Sequence, residues 1–579
     1  MDALAQRANH GAGLDRLLHA WQGRFTLGLS PAALILAYVD WLTHLANAPG
    51  KQQALAQLAL AQLVTFNRYA LGSALNPQAP PDDPDLPEDR RFAAPEWQLW
   101  PFNLYAQSFL LAQQWWSAAT TGVSGVSRHH EQVTTFVARQ LLDMVAPTNF
   151  LLTNPEVLHA TWLQGGVNLL RGTLNALDDW KRSIEGRRPA GAEQYVPGER
   201  VAITPGKVVY RNHLIELIQY EPATEQVYAE PLLIVPAWIM KYYILDLSPH
   251  NSLVRYLVEH GHTVFIISWK NPGPEDRDLG MDNYFRDGVM AALDAVGAIV
   301  PGRQIHTAGY CLGGTLLTMV AAALARDNDE RLRSVTLFAA QTDFKEAGEL
   351  TLFIDESQVA YLNDIMAVQG YLDSSQMAGA FQLLRSQDLI WSRMIREYLL
   401  GVREPMNDLM AWNADGTRLP ARMHAEYLVH LFLNNDLFEG RYRIGARPIA
   451  LSDIRAPLFV VATRTDHVSP WRSVYKLMLL EDTEVTFVLT SGGHNAGIVS
   501  EPGHPRRSYQ IATSYPSDKY VDPDTWQASV PIHSGSWWPE WHRWLADRSS
   551  GMTPPPRMGA PACGYAPLMD APGTYVFQT

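Results

Sequence analysis

Residues Ile305 to Leu317 read IHTAGYCLGGTLL. The first half is apolar enough for a buried strand, and the second half continues into GGTLLTMVAAALARD, a run of helix formers. Between them lies GYCLG, Gly309 to Gly313, with the pattern G-x-C-x-G. A strand that turns this sharply into a helix holds its central residue in a strained backbone conformation and exposes the side chain at the sheet's end. The flanking residues must be small so that strand and helix can approach, and Gly309, Gly313 and Gly314 supply that room. Cys311 therefore reads as a nucleophile. The positive end of the following helix favours a thiolate, and the first helical N–H, on Leu312, points at a developing oxyanion. The competing reading is a buried cysteine acting as a small hydrophobe, the usual fate of a free thiol.

The surroundings favour the nucleophile. PLLIVPAW (231–238), HTVFIISW (262–269), IHTAGYC (305–311), SVTLFAAQ (334–341), PLFVVATRTD (457–466) and EVTFVLTSGG (484–493) are apolar on nearly every residue, as strands buried on both faces of a parallel sheet are. Helical stretches between them form the crossovers. The elbow falls on the third of these six runs. The fold that carries such an elbow places nucleophile, acid and histidine in that chain order at successive strand ends. Asp466 ends the fifth run and His494 follows the sixth, so Cys311, Asp466 and His494 form the expected triad. His467 is the rival base, with a supporting role in the acid loop as its alternative. Cys563 lies in the C-terminal tail without such a setting and reads as inert.

The expected fold is α/β: an α/β-hydrolase catalytic domain with a helical cap, preceded by a mostly helical domain. Residues 1–195 carry apolar residues at helical spacing, as in PAALILAYVDWLTHLANA and FNLYAQSFLLAQQWWSAAT, with a proline-rich acidic connector from Asn76 to Phe92. Residues 196–548 form the catalytic domain, opening on VAITPGKVVYR and HLIELIQYEP as paired strands with Pro205-Gly206 at a turn. The gap from about 343 to 449 is far longer than a crossover needs and reads as a cap and candidate lid. Residues 549–579, rich in Pro and Gly, read as a mobile or loosely docked tail.

Composition excludes several functions. Across 579 residues, Lys plus Arg is 46 and Asp plus Glu is 59, giving a net charge of −13 without a basic run, so nucleic acid is a poor partner. Two cysteines make neither a disulfide framework nor a structural zinc site, and no metal is expected. They suit a reducing cytosol. No charge-free apolar run reaches the length of a membrane span; LGLSPAALILAYVDWLTHL is interrupted by Asp40.

Beyond the elbow, DRRFAAPEW (89–97), NFLLTNPEVL (149–158), KYYILDLSPHNSLVRYLVEHGHTVFIISWKNP (241–272), AWNADGTRLP (411–420), NNDLFEG (434–440), ATRTDHVSPW (462–471), SGGHNAGIV (491–499) and GSWWPEWHRWL (535–545) resemble segments of polyhydroxyalkanoate synthases, over most of the chain. The resemblance implies a single-subunit, class I-like enzyme. Its reaction would polymerise (R)-3-hydroxyacyl-CoA, with 3-hydroxybutyryl-CoA the expected substrate, into storage polyester with release of CoA. Cys311 would carry the acyl group as a thioester, and His494 would take the thiol proton. Asp466 would orient His494 or help activate the acceptor hydroxyl. The resemblance further implies a second oxyanion donor on the Trp238 backbone, packing by Trp412 near the site, and no cofactor beyond the CoA of the substrate. It also implies an N-terminal domain for granule association and homodimerisation, in the cytoplasm. Met240 stands where the family often has Asn, and Asn495 follows the histidine where an apolar residue is usual. The competing functions are a thiol hydrolase of the same fold, depolymerase or thioesterase, and a non-catalytic granule protein.

Overall fold

The computed structural model describes residues 2–75, 88–480 and 482–579. The chain forms two compact units: Phe25–Ala190 with Gly379–Pro405, and Met1–Arg24 with Gly191–Ala378 and Met406–Thr579. This partition differs from the sequence-based boundaries at two places. The first helix, Asp2–Gly23, groups with the sheet, and Gly379–Pro405, from within the expected cap, groups with the helical unit.

The helical unit contains Pro31–Ala46, Pro49–Leu75, Phe102–Thr120, Arg128–Met144, Pro155–Leu163 and Val167–Ile184. Local chemistry sets several of the starts. Ser30 caps Pro31–Ala46 by accepting from the Ala33 N–H at 3.3 Å, and Asn154 accepts from Glu156 and Val157 at 3.0 and 3.2 Å ahead of Pro155–Leu163. Trp41 Nε1 donates to the Ala119 carbonyl at 2.9 Å and ties two of the helices together. Gly379–Pro405 belongs here because Asn168 donates to the Leu399 carbonyl at 2.8 Å and Arg403 pairs with Asp178 and Asp179 at 2.9 and 2.7 Å. Most of the proline-rich connector lies outside the described residues. Its end, Arg90–Phe92, is a short 3₁₀ turn capped by Asp89.

The other unit is built on an 11-stranded sheet. In chain order its strands are β1 (Gly206–Arg211), β2 (Ile215–Tyr220), β3 (Leu232–Val235), β4 (Val264–Trp269), β5 (Ile305–Tyr310), β6 (Leu332–Phe338), β7 (Leu458–Thr463), β8 (Val485–Thr490), β9 (Ser508–Ser514), β10 (Ile532–Ser534) and β11 (Met569–Asp570). The spatial order is β10-β9-β8-β7-β6-β5-β3-β4-β2-β1-β11. From β8 across to β4 every pairing is parallel, and the pairings outside that block are antiparallel. Every residue of β3, β4, β5, β7 and β8 is buried. Alternate residues serve opposite faces: Leu233 and Val235 enter one core, Leu232 and Ile234 the other. Burying each such side chain contributes about 1.5–3 kcal/mol, which is why these runs lack polar alternation. The chain leaves β3 for β4 on one side and returns as β5 on the other. The carboxyl ends of β3 and β5 thus form the switch point where open α/β sheets open a crevice.

Two expectations change. Gly206 opens β1 instead of lying in a turn, and β1 and β2 are joined at Asn212–Leu214, where the Asn212 side chain accepts from the N–H groups of Leu214 and Ile215 at 2.8 and 2.9 Å. An asparagine can close a turn through its own carbonyl, which the stronger Pro-Gly signal concealed. The tail is docked, not loose. Met552–Thr553 pairs with Val227–Tyr228, β11 adds an edge strand to β1, and buried Glu216 accepts from the N–H groups of Thr574 and Tyr575 at 2.9 and 3.0 Å. Composition predicted mobility, but the partners that hold this segment lie more than three hundred residues earlier in the chain.

Candidate active site

The site is assembled from three strand ends. Cys311 follows β5 with φ 52° and ψ −124°, and Leu312 begins the helix that runs to Arg326. Positive φ in a residue with a Cβ costs about 1–3 kcal/mol and persists only where the surroundings enforce it. Here the Cys311 N–H donates to the Phe338 carbonyl of β6 at 2.8 Å, and the Cys311 carbonyl accepts from Gly314 and Thr315. The glycines are needed for close approach. A Cβ on Gly309 would lie 2.4 Å from the Gly314 Cα, and one on Gly313 would lie 2.1 Å from the Val235 carbonyl oxygen at the end of β3. The Leu312 N–H, first in its helix, has no preceding turn to donate to and faces the positive end of the helix dipole.

Asp466 sits just beyond β7 with its carboxylate fully buried. One oxygen accepts from Thr463 Oγ1 at 2.8 Å and from His494 Nδ1 at 2.8 Å; the other accepts from the N–H groups of Val468 and Ser469 at 2.9 and 2.8 Å. Burial alone pushes this carboxyl up, but the charge and hydrogen bond of His494, with the Ser469 N–H and the Thr463 hydroxyl, hold it below the usual carboxylate range. His494 lies beyond β8. With Nδ1 committed to Asp466, its other nitrogen is left for Cys311. Burial pushes the imidazole down, yet the charges of Asp466 and of Cys311 beside it raise it well above its ordinary value.

Of the two neighbouring histidine candidates, the acid therefore meets His494. His467 is on the acid loop, and its carbonyl accepts from the Glu349 N–H at 3.4 Å. Trp238 and Trp412 meet through one loop. The Trp238 carbonyl accepts from Thr417 Oγ1 at 2.6 Å, the Ile239 carbonyl from the Thr417 N–H at 3.0 Å, and the Lys241 carbonyl from Trp412 Nε1 at 2.8 Å. Trp412 thus holds the loop that carries Trp238. Met240 engages Gly416 through its backbone, so its departure from the usual Asn leaves that bridge available.

Several groups at the site carry no local sequence signal. The Tyr427 ring stands edge-on to Trp238, 6.3 Å between centroids, and its hydroxyl is pushed up first by burial and then by the Cys311 charge. Phe344 and Phe432 pack against the same ring. Tyr310, the residue before the nucleophile, donates to Asn495 Oδ1 at 2.5 Å, and Asn495 Nδ2 donates to Asn413 Oδ1 at 3.2 Å. Asn495 is thus a hydrogen-bonding link between the nucleophile strand and the segment around Trp412. Replacing it with Ile, a more usual type of residue there, strands the buried Tyr310 hydroxyl. Asn495→Ile should lower stability by about 1–3 kcal/mol, read as a lower midpoint in thermal or urea unfolding; Tyr310→Phe in the same background should recover most of that loss.

Among the described residues no helix is long and apolar enough to cross a membrane. The model of the α/β-hydrolase fold matches residues 230–500, the span from β3 through His494. Sheet order, elbow and match define the class: an α/β-hydrolase-fold protein with cysteine at the nucleophile position. Two further models narrow it, the poly-beta-hydroxybutyrate polymerase (PhaC) N-terminus over residues 88–257 and the poly-beta-hydroxybutyrate polymerase N-terminal model over residues 10–51. The chain is 39% identical over 542 residues to a poly(3-hydroxyalkanoate) polymerase of Methylorubrum extorquens, covering 93% of this chain and 88% of that one. It is 34% identical over 499 residues to the poly(3-hydroxyalkanoate) polymerase subunit PhaC of Cupriavidus necator, covering 84% and 83%. It is also 34% identical over 498 residues to poly(3-hydroxyalkanoate) polymerase 1 of Ectopseudomonas oleovorans, covering 85% and 87%. The chain belongs to the poly(3-hydroxyalkanoate) polymerase family.

Proposed function

We propose that this protein is an acyltransferase that polymerises (R)-3-hydroxyacyl-CoA into polyhydroxyalkanoate through an acyl thioester on Cys311. The observation that carries the reading is the Asp466–His494 hydrogen bond beside a cysteine held at a strand–helix elbow. His494 accepts the Cys311 proton, and the thiolate attacks the thioester carbonyl. The oxyanion is met by the N–H groups of Leu312 and Trp238. When the tetrahedral adduct collapses, the C–S bond to CoA breaks and the departing thiolate takes the proton from His494. A hydroxyl of a second hydroxyacyl group then gives its proton to His494 and attacks the Cys311 thioester. An oxoester forms, and the Cys311 sulfur leaves and regains the proton. Sulfur attacks and sulfur leaves in the first half, so the exchange is nearly balanced and a thiol nucleophile suits it. No cofactor enters this scheme.

The second half needs water excluded, because His494 would activate water as readily as a hydroxyl. The aromatic wall of Trp238, Tyr427, Phe344 and Phe432 supports that exclusion. Association with polyester granules, and homodimer formation, are supported by an apolar stripe on the helix Val167–Ile184, and a cytoplasmic location is proposed with them. Leu170, Leu174, Leu177, Trp180 and Ile184 recur at helical spacing there and are 54–67% exposed.

A mass balance tests the activity. Purified protein given (R)-3-hydroxybutyryl-CoA should release CoA in step with insoluble polyester, with free hydroxy acid a minor product. Soluble acid equal to CoA mole for mole would make the protein a hydrolase. Substrate left unconsumed by folded protein would make it a non-catalytic granule protein.

A further inference from the structure

The last residues of the chain end on the loop that carries Trp238. Lys241 is 3% exposed, and its ammonium donates to the backbone carbonyls of Tyr575 and Gln578 at 3.3 and 2.5 Å. Asn271, just beyond β4, donates its N–H to Gln578 Oε1 at 2.9 Å and accepts from the Arg418 N–H at 2.9 Å. The loop from Trp238 to Lys241 is therefore bound on one side by Trp412 and Thr417 and at Lys241 by the C-terminal segment. The segment is itself anchored. Glu216 holds Thr574 and Tyr575, the Tyr575 hydroxyl donates to the Asn212 carbonyl at 2.5 Å, and Val576 is buried in the core.

We propose that residues 575–579 are a clamp that positions the Trp238 backbone N–H against Cys311, so that this segment is a positioning element of the acylation step. A buried ammonium is tolerated only with acceptors around it. Without the Tyr575 and Gln578 carbonyls, the Lys241 ammonium loses two of its acceptors, and the backbone of Trp238–Lys241 loses that anchor. The adjoining end of β3 packs against Gly313, one residue after Leu312, so a shift of this loop changes the spacing of the two oxyanion donors. A misplaced donor costs nearly as much as a missing one, on the order of 10²-fold in rate. The inference rests on Leu312 and Trp238 being those donors.

The test is a chain ending at Thr574, prepared alongside full-length protein in a Cys563→Ser background, with Gln578→Ala in the full chain as a milder variant. After limited proteolysis to remove unfolded chain, properly folded sites are counted by iodoacetamide labelling of Cys311, and CoA release is followed with (R)-3-hydroxybutyryl-CoA. The clamp predicts undiminished labelling, kcat lower on the order of 10²-fold with KM little changed, and partial recovery when a peptide of residues 569–579 is added in trans. Gln578→Ala should show a smaller fall in kcat alone. A truncated chain that turns over at the full-length rate overturns the proposal. So does activity lost only in proportion to labelled sites, which would make the segment a folding element. Full-length Cys311→Ala that still releases CoA would defeat the site reading itself, whatever the tail does.

Discussion

Cys311→Ala releases no CoA from hydroxyacyl-CoA and makes no polymer: the expected loss is on the order of 10⁶-fold, the scale seen when the covalent nucleophile of a concerted triad is deleted. The fold should survive. Alanine keeps the Cβ, so the strain at φ 52° is the same in both chains, and the two hydrogen bonds accepted by the residue's carbonyl do not involve the sulfur. The sulfur is part-buried among apolar neighbours, and removing one atom costs about 1 kcal/mol or less. Loss of activity at an unchanged unfolding midpoint is therefore the signature, and measurable synthesis by Cys311→Ala would remove Cys311 from the nucleophile role. Cys563, exposed in the tail, should tolerate the same change without effect.

His494→Gln is expected to lose about 10²–10⁴-fold in CoA release, the range for a positioned general base, while His467→Gln loses far less. The reason is positional: His494 Nδ1 lies 2.8 Å from the Asp466 carboxylate, which aims its other nitrogen, whereas His467 sits on the backbone of the acid loop. Reversed losses in the two variants would exchange their roles. The pH dependence follows the direction of the shifts. His494 is raised in the folded protein, so the favourable interaction of the imidazolium is fully present below the ordinary imidazole value and fades as pH rises through the raised one. Asp466 is depressed, so its contribution is present above the ordinary carboxylate value and is lost as pH falls through the depressed one. Alkylation of Cys311 in the parent should thus be faster than in His494→Gln at neutral pH, because the imidazole beside it can take the thiol proton. Indistinguishable alkylation profiles in the two proteins would count against an imidazole-supported thiolate.

Some of this was legible in the chain because its cause is local. An apolar run free of polar alternation reads as a two-face-buried strand wherever it occurs. Gly309, Gly313 and Gly314 around Cys311 read as a turn because a Cβ there meets backbone within a few residues or at the neighbouring strand. Asp466 and His494 could be singled out because each lies just past such a run. Tyr427 and Asn413 could not: both come from the insertion between β6 and β7, and no periodicity says which of its side chains returns to the sheet. Asn495 was visible as a departure beside the histidine. Its bonds to Tyr310 and Asn413 are long-range and make that departure a hydrogen-bonded link.

What the sequence by itself determined was the sheet, the elbow and the order of Cys311, Asp466 and His494 at its strand ends, since backbone sterics and apolar burial act over neighbours. What only the tertiary structure decided was which histidine the acid meets, that Gly379–Pro405 packs with the helical unit, and that a Pro- and Gly-rich end is bound at Glu216 and Lys241. The last two depend on polar groups hundreds of residues apart, and the first on a pair 28 residues apart at two strand ends. Burial makes such pairs obligatory, because an unpaired charge or N–H in the core is costly, but nothing in a residue's own neighbourhood states which distant group will answer it.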